Sequence, residues 1–351
     1  MELLALEAII IFRIGSLGDT VVALPCFHMI ARSFPDFRRI VVTDIPASQK
    51  AAPVEKVLNN SGLIDEVIYF PPSPRRLRDF LTLRRRIRET RAKNLIYIAD
   101  RSGQVVRTFR DLCFFRTCGI RKIIGAPLSR ELRRPRVVDT ATGETEREAE
   151  RLARCLAPLG PIDLHNREEW NLRLQPDEEQ AAEKMLAPLV GQNFIAINIG
   201  GKIQAKDWGD DNWTALFQLM VPTHSNLTLV FLGSADEFDR SARLAAVWPG
   251  STLNLCGRLE PRESAAAMQR ALFFIGHDSG PMHLADAVGI PCVGLFGNNN
   301  MPKCWHPMGQ GHHIIHNRSG VREISPDEVY AAVLSTSWEG LNDSARIHRE
   351  G

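Results

Sequence analysis

The amino-acid sequence predicts an α/β protein of two consecutive, doubly wound domains with a cleft between them. The chain has 351 residues, more than one hydrophobic core usually supports. Short apolar runs alternate with stretches of helical period, and this alternation occurs twice along the chain. Because strands that alternate with helices form parallel sheets, ligands are expected beyond the carboxyl ends of the strands.

The first series of elements predicts a domain over residues 1–165. Its strands are predicted at 8–14, 39–43, 66–70, 94–99 and 121–124. Its helices are predicted at 21–33, 49–59, 75–91, 104–115 and 144–159. A glycine loop between the first strand and the first helix is typical of the opening of a nucleotide- or sugar-binding domain.

The second series predicts a domain over residues 166–335, followed by a polar tail at 336–351. The polar, extended residues 161–177 are expected to connect the domains. The predicted strands are 193–199, 227–232, 252–255, 272–276, 292–296 and 312–315. The predicted helices are 211–220, 236–247, 263–270, 281–288 and 326–334.

The most informative stretch is LFFIGHDSGPMHLADAVGIPCVGLFG, residues 272–297, which has the spacing of a βαβ unit. Its predicted loop, 277–280, carries His277, Asp278, Ser279 and Gly280 past the end of a strand. Asp278 or Ser279 would cap the following helix, and Pro281 suits its first turn. The free N–H groups of that helix favour an anion, and a phosphate is the simplest candidate.

Asp19 follows the first glycine loop, Gly15-Ser16-Leu17-Gly18. A carboxylate at this turn could take a proton from a hydroxyl nucleophile. The alternative is that Asp19 is a helix N-cap, which aspartate favours for structural reasons. The loop lacks the Gly-Lys-Ser/Thr of a phosphate-binding Walker loop and the third glycine of a dinucleotide site, which disfavours a nicotinamide-dependent oxidoreductase.

A second glycine turn, Gly200-Gly201, follows the strand at 193–199. Lys202 or Lys206 could reach a phosphate from this turn, or either lysine could be an ordinary solvated charge. Trp208 and Trp213 could pack beside the loop or cover a nucleotide base.

A third strand-to-helix turn carries Asp236 and Glu237. A carboxylate here could accept hydrogen bonds from both hydroxyls of a ribose. Glu237 is the preferred candidate and Asp236 its substitute, although either could serve only the start of a helix.

No metal site is expected. His277 and His283 are six residues apart and have no third ligand nearby, while His312, His313 and His316 have no partner by spacing. The seven scattered cysteines include no CxxC pair, which favours reduced thiols over disulfides or zinc. No cofactor is predicted.

Charge is unevenly distributed. The chain has a formal net charge of +2, but residues 70–136 hold 19 Lys and Arg against 5 Asp and Glu. The candidate binding residues in this window are Arg75, Arg76, Arg84 and Arg85. They could bind nucleic acid, form a solvated helix face, or dock an anionic lipid headgroup or acidic substrate; we favour the last.

The apolar N-terminus lacks the basic leader of a signal peptide, and no segment approaches the length of a membrane helix. The expected location is cytoplasmic, with a peripheral contact to the inner membrane, and nucleic acid is not an expected partner.

Three blocks occur in one order: FRIGSLGDTVVALP near the start, INIGG followed by KDW in the middle, and HDSGPMHLADAVGIPCVGLFG near the end. In these blocks the chain resembles glycosyltransferase family nine, the lipopolysaccharide heptosyltransferases. The most specific is the last, with its D-S/T-G-x-x-H-L-A-x-A-x-G-x-P core. Gly200-Gly201 and Gly297-Asn298-Asn299-Asn300 depart from the residues common in the family.

The resemblance implies a GT-B fold of two facing Rossmann-like domains, with acceptor bound mainly by the first domain and nucleotide-sugar donor by the second. It implies sugar transfer with inversion and without a catalytic metal, from ADP-L-glycero-D-manno-heptose to the inner core of an anionic glycolipid. Asp19 matches the proposed general base and Lys206 the phosphate-binding lysine. The donor segment is matched by Asp278, Gly280 and His283, and the ribose contact by Glu237. Alternatives are a transferase for another nucleotide sugar, or a GT-B protein that binds or hydrolyses one.

Overall fold

The structure, a computed structural model, describes residues 7–46, 52–71, 77–99, 104–201 and 203–336. The chain divides into two units, Met1–Arg173 and Leu174–Gly351. This division falls later than the boundary expected after residue 165. The first unit extends to Arg173 because the residues just after 165 pack on it. Arg32 donates two hydrogen bonds to the carboxylate of Glu169, at 2.7 and 3.0 Å.

The first unit contains a five-stranded parallel sheet with the order β3-β2-β1-β4-β5. Its strands are β1 (Ala8–Phe12), β2 (Arg38–Asp44), β3 (Glu66–Phe70), β4 (Asn94–Tyr97) and β5 (Lys122–Ile124). The strand order reverses direction at β1, so the carboxyl ends of β1 and β4 flank the point where α/β sheets bind ligands. Asp19 follows β1.

The helices of the first unit are α1 (Leu17–Val22), α2 (Leu24–Ser33), α3 (Glu55–Leu58), α4 (Leu77–Glu89), α5 (Val105–Thr117), α6 (Arg130–Arg133) and α7 (Glu148–Cys155). Residues 21–33, predicted as one helix, belong to two, because Pro25 has no N–H to continue the helical hydrogen bonding. Buried β-branched residues such as Ile10, Ile40 and Val42 form the core between sheet and helices.

The helix predicted over 144–159 is wrong at its start. Val137–Asp139 (β6) and Glu144–Thr145 (β7) form an antiparallel hairpin, and α7 begins only at Glu148. Backbone pairing decides this difference: the N–H of Glu146 donates to the carbonyl of Arg136 at 2.7 Å. Helical composition alone did not reveal that competing partner.

The second unit contains a six-stranded parallel sheet with the order β10-β9-β8-β11-β12-β13. Its strands are β8 (Phe194–Asn198), β9 (Thr228–Phe231), β10 (Thr252–Asn254), β11 (Phe274–His277), β12 (Cys292–Phe296) and β13 (His313–His316). Its helices are α8 (Pro176–Leu186), α9 (Asp210–His224), α10 (Phe238–Ala245), α11 (Pro261–Met268), α12 (Gly280–Ala287) and α13 (Pro326–Ser335). Here the order reverses at β8.

The carboxyl ends of β8 and β11 therefore lie side by side, and the turns that follow them carry Gly200, Lys206 and Asp278. His277, expected in the loop, instead ends β11 and is fully buried. Two parallel doubly wound sheets thus confirm the predicted architecture within each unit. Within the described ranges, no helix is both long and apolar enough to cross a bilayer.

Candidate functional site

The turn after β1 fixes Asp19 at the start of α1. The backbone N–H and the hydroxyl of Ser16 both donate to Asp19 Oδ2, at 2.7 and 3.0 Å. Gly15 has a φ of 126°, and a Cβ built on it would lie 2.6 Å from Asp19 Cβ, so this position requires glycine. Ser16 is the N-cap, and Asp19 is the third helical residue of a capping box.

The two oxygens of Asp19 therefore differ. Oδ2 is held by Ser16, whereas no group among the described residues donates a hydrogen bond to Oδ1. The carboxylate is half-buried and oriented, and it keeps one oxygen able to accept a proton.

Arg13 supports the Asp19 turn, and the sequence analysis missed it. Its side chain is buried and donates to the carbonyl of Ile98 at 2.6 Å and to the carbonyl of Asp19. These bonds join the end of β4 to the turn after β1. The sequence does contain a signal for Arg13: it is the one arginine at the end of an otherwise apolar run. A charge buried at such a position needs polar partners, which predicts that its side chain holds nearby backbone groups.

Lys206 and Asp278 form an ion pair at the switch point of the second sheet. Lys206 Nζ lies 2.5 Å from Asp278 Oδ2, and the side chains are 19% and 9% exposed. Asn300 Nδ2 donates to the same carboxylate oxygen. Asn299 Nδ2 donates to the carbonyl of Ala205 at 3.2 Å, in the 3₁₀ turn that carries Lys206.

Asn299 and Asn300 belong to the segment that departs from the family pattern in sequence. The structure gives this segment a role, because it connects the turn after β12 to Asp278 and to the 3₁₀ turn that carries Lys206. The departure is visible in the sequence, but these contacts are not, because they join residues 22 and 94 positions apart.

His277 fixes the loop that carries Lys206 through contacts at both ends of that loop. The backbone N–H of Trp208 donates to His277 Nε2 at 3.1 Å, and His277 Nδ1 lies 3.4 Å from the carbonyl of Gly200. This arrangement requires a neutral ring with its proton on Nδ1. Complete burial lowers the pKa of His277 to about 4, which agrees with the neutral form.

Asp207 and Arg240 form an ion pair that fixes the same loop, and neither was singled out from the sequence. Arg240 donates from Nη1 and Nη2 to the two oxygens of Asp207, at 2.7 and 2.8 Å, and from Nε to Asp210 at 2.6 Å. Burial raises the pKa of Asp207, but the hydrogen bonds from Arg240 outweigh it and hold that pKa below its usual value. This two-point ion pair fixes the position of the residue next to Lys206.

Glu237 lies over two glycines at the ends of β8 and β9. A Cβ built on Gly200 would lie 1.8 Å from Glu237 Oε1, and one on Gly233 would lie 2.0 Å from Oε2. Both positions are therefore glycine because the carboxylate occupies the space of a side chain. Ser234 donates its backbone N–H to Glu237 Oε2 at 3.1 Å. Asp236, the substitute candidate, is exposed.

Ser279 is the N-cap of α12, and its hydroxyl donates to Asn198 Oδ1 at 3.1 Å. Asn198 in turn donates to the carbonyl of Leu232 at 2.9 Å. This chain of hydrogen bonds links the ends of three neighbouring strands to the helix that begins at Gly280. The structure thus brings Gly200, Lys206, Glu237, Asp278 and Ser279 to one edge of the second sheet.

His283 is buried on α12, with its ring 6.2 Å from that of Trp305. The expectation that His312 and His316 lack partners is wrong. His312 Nε2 lies 3.1 Å from Asp286 Oδ1, and its Nδ1 accepts from the N–H of Cys292. His316 Nδ1 lies 2.9 Å from His306 Nε2. Spacing did not reveal this pair because Asp286 and His312 are on separate elements.

Trp208 and Trp213 are fully buried, and their ring centroids are 5.1 Å apart. They pack in the core of the second unit, so a role in covering a base is wrong for both. Among the described residues, no atom lies within 4 Å of a Cβ built on Gly201. Lys202 lies outside the described residues.

Of the basic candidates, Arg84 and Arg85 lie on α4, whereas Arg75 and Arg76 fall outside the described residues.

All seven cysteines are free thiols. In the part of the chain that the structure describes, no group of three or more His, Cys, Asp and Glu side chains could hold a metal ion.

Comparison with curated proteins finds distant relatives. The chain is 29% identical over 130 residues to a lipopolysaccharide heptosyltransferase 3 of Escherichia coli, covering 33% of this chain and 37% of that protein. It is 25% identical over 201 residues to lipopolysaccharide heptosyltransferase 3 of E. coli K12, covering 52% and 57%. The matched stretches thus span only part of these relatives.

Solved structures match over nearly the whole chain. A family 9 glycosyl transferase from Veillonella parvula superposes with a TM-score of 0.69 at 19% identity, covering 94% of this chain and 97% of that one. E. coli ADP-heptose lps heptosyltransferase II gives 0.64 at 16% identity, covering 94% and 98%. These matches confirm the predicted fold class, that of the GT-B heptosyltransferases.

The sequence profile of "Glycosyltransferase family 9 (heptosyltransferase)" matches residues 119–329, more than half of the chain. That range includes the second glycine turn, Lys206 and the whole of α12. The chain belongs to glycosyltransferase family 9, the heptosyltransferase family.

Proposed function

We propose that this protein is an inverting glycosyltransferase that moves a sugar from a nucleotide diphosphate to an acceptor hydroxyl without a catalytic metal. The donor we propose is ADP-heptose, and the acceptor is a lipopolysaccharide core or a related surface glycan. The observation that carries the proposal is the Lys206–Asp278 pair, oriented beside the start of α12 at the switch point of the second sheet.

The donor diphosphate would lie against Lys206 and the N-terminus of α12. Lysine supplies a compact positive charge, and the free N–H groups at the helix start supply the positive end of its dipole. Asp278 cannot itself bind a phosphate, since a carboxylate only accepts hydrogen bonds and carries the same charge. We therefore assign Asp278 to positioning Lys206, with Asn300 holding its orientation. Gly201 and Gly280 would allow the phosphates to approach the backbone.

The ribose would lie against Glu237. Its carboxylate, held over Gly200 and Gly233, can accept hydrogen bonds from two neighbouring hydroxyls. A structure of E. coli heptosyltransferase WaaC with ADP, and one with ADP-2-deoxy-2-fluoro heptose, have the same fold and support a nucleotide of this kind.

Asp19 would act as the general base. Its free Oδ1 would take the proton of the acceptor hydroxyl as that oxygen bonds to the anomeric carbon. The bond from that carbon to the diphosphate breaks on the opposite face, so the configuration inverts and the nucleoside diphosphate leaves with the electron pair. Lys206 and α12 would stabilise the negative charge that develops on it, which is often a large catalytic contribution.

The acceptor we propose is an anionic glycolipid, reached from the cytoplasmic side of the inner membrane. The support is the basic surface that carries Arg84 and Arg85 on the first unit. Arg75 and Arg76 continue the same basic sequence, and we include them in this assignment.

The experiment that tests the proposal is incubation with ADP-heptose and a lipopolysaccharide core acceptor, with ADP release measured in the presence and absence of acceptor. Acceptor-dependent release supports transfer. Release without acceptor would instead favour a hydrolase of the same fold. A thermal-shift screen of nucleotide diphosphates and their sugars identifies the donor, because a ligand that binds the native state raises its apparent stability.

A further inference from the structure

Helices α4 and α5 expose large apolar side chains next to arginines. Leu77 and Leu81 on α4 are 74% and 51% exposed, and Val106 and Phe109 on α5 are 82% and 63% exposed. Single exposed apolar residues are ordinary, but a group on two adjoining helices marks an interaction surface. We call the outer side of these two helices the α4–α5 surface.

The two helices are neighbours on one face of the first sheet. Connections from β3 to β4 and from β4 to β5 are right-handed and run to the same side, which places α4 and α5 together. The rings of Phe80 and Phe114 are 6.0 Å apart between the helices. On the solvent side, Arg84 Nε donates to the carbonyl of Thr117 at 3.0 Å in an exposed hydrogen bond that also joins the two helices. The inner faces therefore pack against each other and leave the outer faces as one surface.

Charge on this surface is strongly positive. The two helices contain eight arginines and three acidic residues, and one of those acidic residues, Asp111, is buried. A groove of about 370 Å³ on the outer side of α4 is lined by Leu81, Arg84, Arg85, Arg88 and Glu89. Each apolar position thus has guanidinium groups beside it or on the adjoining turn.

Two of these apolar residues, Leu77 and Val106, lie near the carboxyl edge of the first sheet. A helix that follows a parallel strand starts at the carboxyl edge, so the first turns of α4 and α5, with Leu77 and Val106, lie at the edge where Asp19 follows β1. Arg84 and Arg88 are further along α4, away from that edge.

We propose that the α4–α5 surface binds an anionic lipid bilayer, with Leu77, Leu81, Val106 and Phe109 in the headgroup and acyl boundary and the arginines on lipid phosphates. Alternating apolar and basic side chains on an exposed helical surface have the chemistry of an interfacial membrane site. This inference rests on the proposed function in one respect. A membrane bound to the α4–α5 surface would present a glycolipid acceptor at the sheet edge that carries Asp19.

The test is co-sedimentation of the full chain with vesicles of phosphatidylcholine alone and of phosphatidylcholine with phosphatidylglycerol. We expect binding to the anionic vesicles only, weakened by added salt. The double variants Leu81→Gln/Phe109→Gln and Arg84→Gln/Arg85→Gln should each reduce the binding constant about ten-fold or more. Val190→Gln changes an exposed apolar residue outside this group, 85% exposed on the second unit, and should bind like the wild type.

Cys113 provides a second measurement, because it is the one exposed cysteine of the seven and lies one turn beyond Phe109. A polarity-sensitive dye attached there should shift to the blue on adding anionic vesicles. Equal binding of wild type and both double variants, or an unchanged dye spectrum, would overturn the assignment. A wild-type dimer that Leu81→Gln/Phe109→Gln converts to monomer would show that a second copy covers this surface instead. These vesicles contain neither donor nor acceptor, so failure here is separate from failure of the transferase.

Discussion

Lys206 Nζ and Asp278 Oδ2 are 2.5 Å apart although 72 residues separate them in the chain. The pair joins the turn after β8 to the turn after β11, where the strand order of the second sheet reverses. A lysine held by a carboxylate at the start of a helix is positioned before any anion arrives, which lowers the entropic cost of binding one.

Replacement of Lys206 should weaken the binding of nucleotide diphosphate. For Lys206→Met we expect a loss of affinity of about ten-fold or more, because a hydrogen bond to a charged group contributes roughly 1.5–3 kcal/mol. Isothermal titration calorimetry with ADP measures it. Lys184→Met, at an exposed lysine on α8, is the matched control. Equal affinity of the two variants would remove Lys206 from the donor site.

Asp19→Asn should separate chemistry from donor binding. An amide oxygen can still accept the hydrogen bonds of Ser16, but it cannot take a proton, so we expect turnover to fall about 100-fold or more. Donor affinity and thermal stability should stay near those of the wild type. Asp36→Asn, at an exposed aspartate in the same unit, provides the comparison. Turnover is measured as acceptor-dependent ADP release, and near-normal turnover in Asp19→Asn would exclude it as the base.

Gly200→Ala should displace Glu237, since the added Cβ would lie 1.8 Å from its Oε1. If Glu237 binds the ribose, affinity for ADP should fall about ten-fold, as expected for losing one or two hydrogen bonds. Ser251→Ala, at an exposed residue of the same unit away from these turns, is the control for a change to alanine. A double-mutant cycle with Glu237→Gln should show that the two losses are not additive. Additive losses would indicate that Gly200 acts independently of Glu237.

His277 should make the protein less stable in mild acid. Burial lowers its pKa from 6.5 to about 4, so between these values the unfolded chain binds a proton that the native ring does not. The free energy of unfolding therefore falls as pH drops from 6.5 towards 4, by up to roughly 1.4 kcal/mol per pH unit from this group. Above pH 6.5 the contribution is constant.

Urea unfolding at pH 7 and pH 5 measures this effect. The difference between the two pH values should be smaller for His277→Gln, whose amide oxygen can accept the Trp208 N–H, than for the wild type. His165→Gln, at an exposed histidine, should retain the wild-type difference. An unchanged difference in His277→Gln would show that other groups set the acid sensitivity.

The local pattern of apolar and polar residues was sufficient to predict many of the strands. The predicted strands at 66–70 and 292–296 have the bounds observed for β3 and β12. The apolar run of β12 predicts a strand because every one of its side chains is buried in a parallel sheet. The edge strand β3 buries only Ile68 fully, and its β-branched and aromatic residues predict it. Local pattern failed at Glu144–Thr145 and at Pro25, where a hairpin partner and a missing N–H outweighed helical composition.

The sequence by itself determined two α/β series, the glycine turns after the first strand of each, and the polar residues that follow those strands. Only the tertiary structure decided that Asn300 joins Lys206 on one oxygen of Asp278, that Arg240 fixes Asp207, and that Glu237 fills the space above Gly200 and Gly233. The reason is physical: periodicity reports which face of an element is buried, whereas these contacts depend on strand order, which brings distant turns to one edge of a sheet.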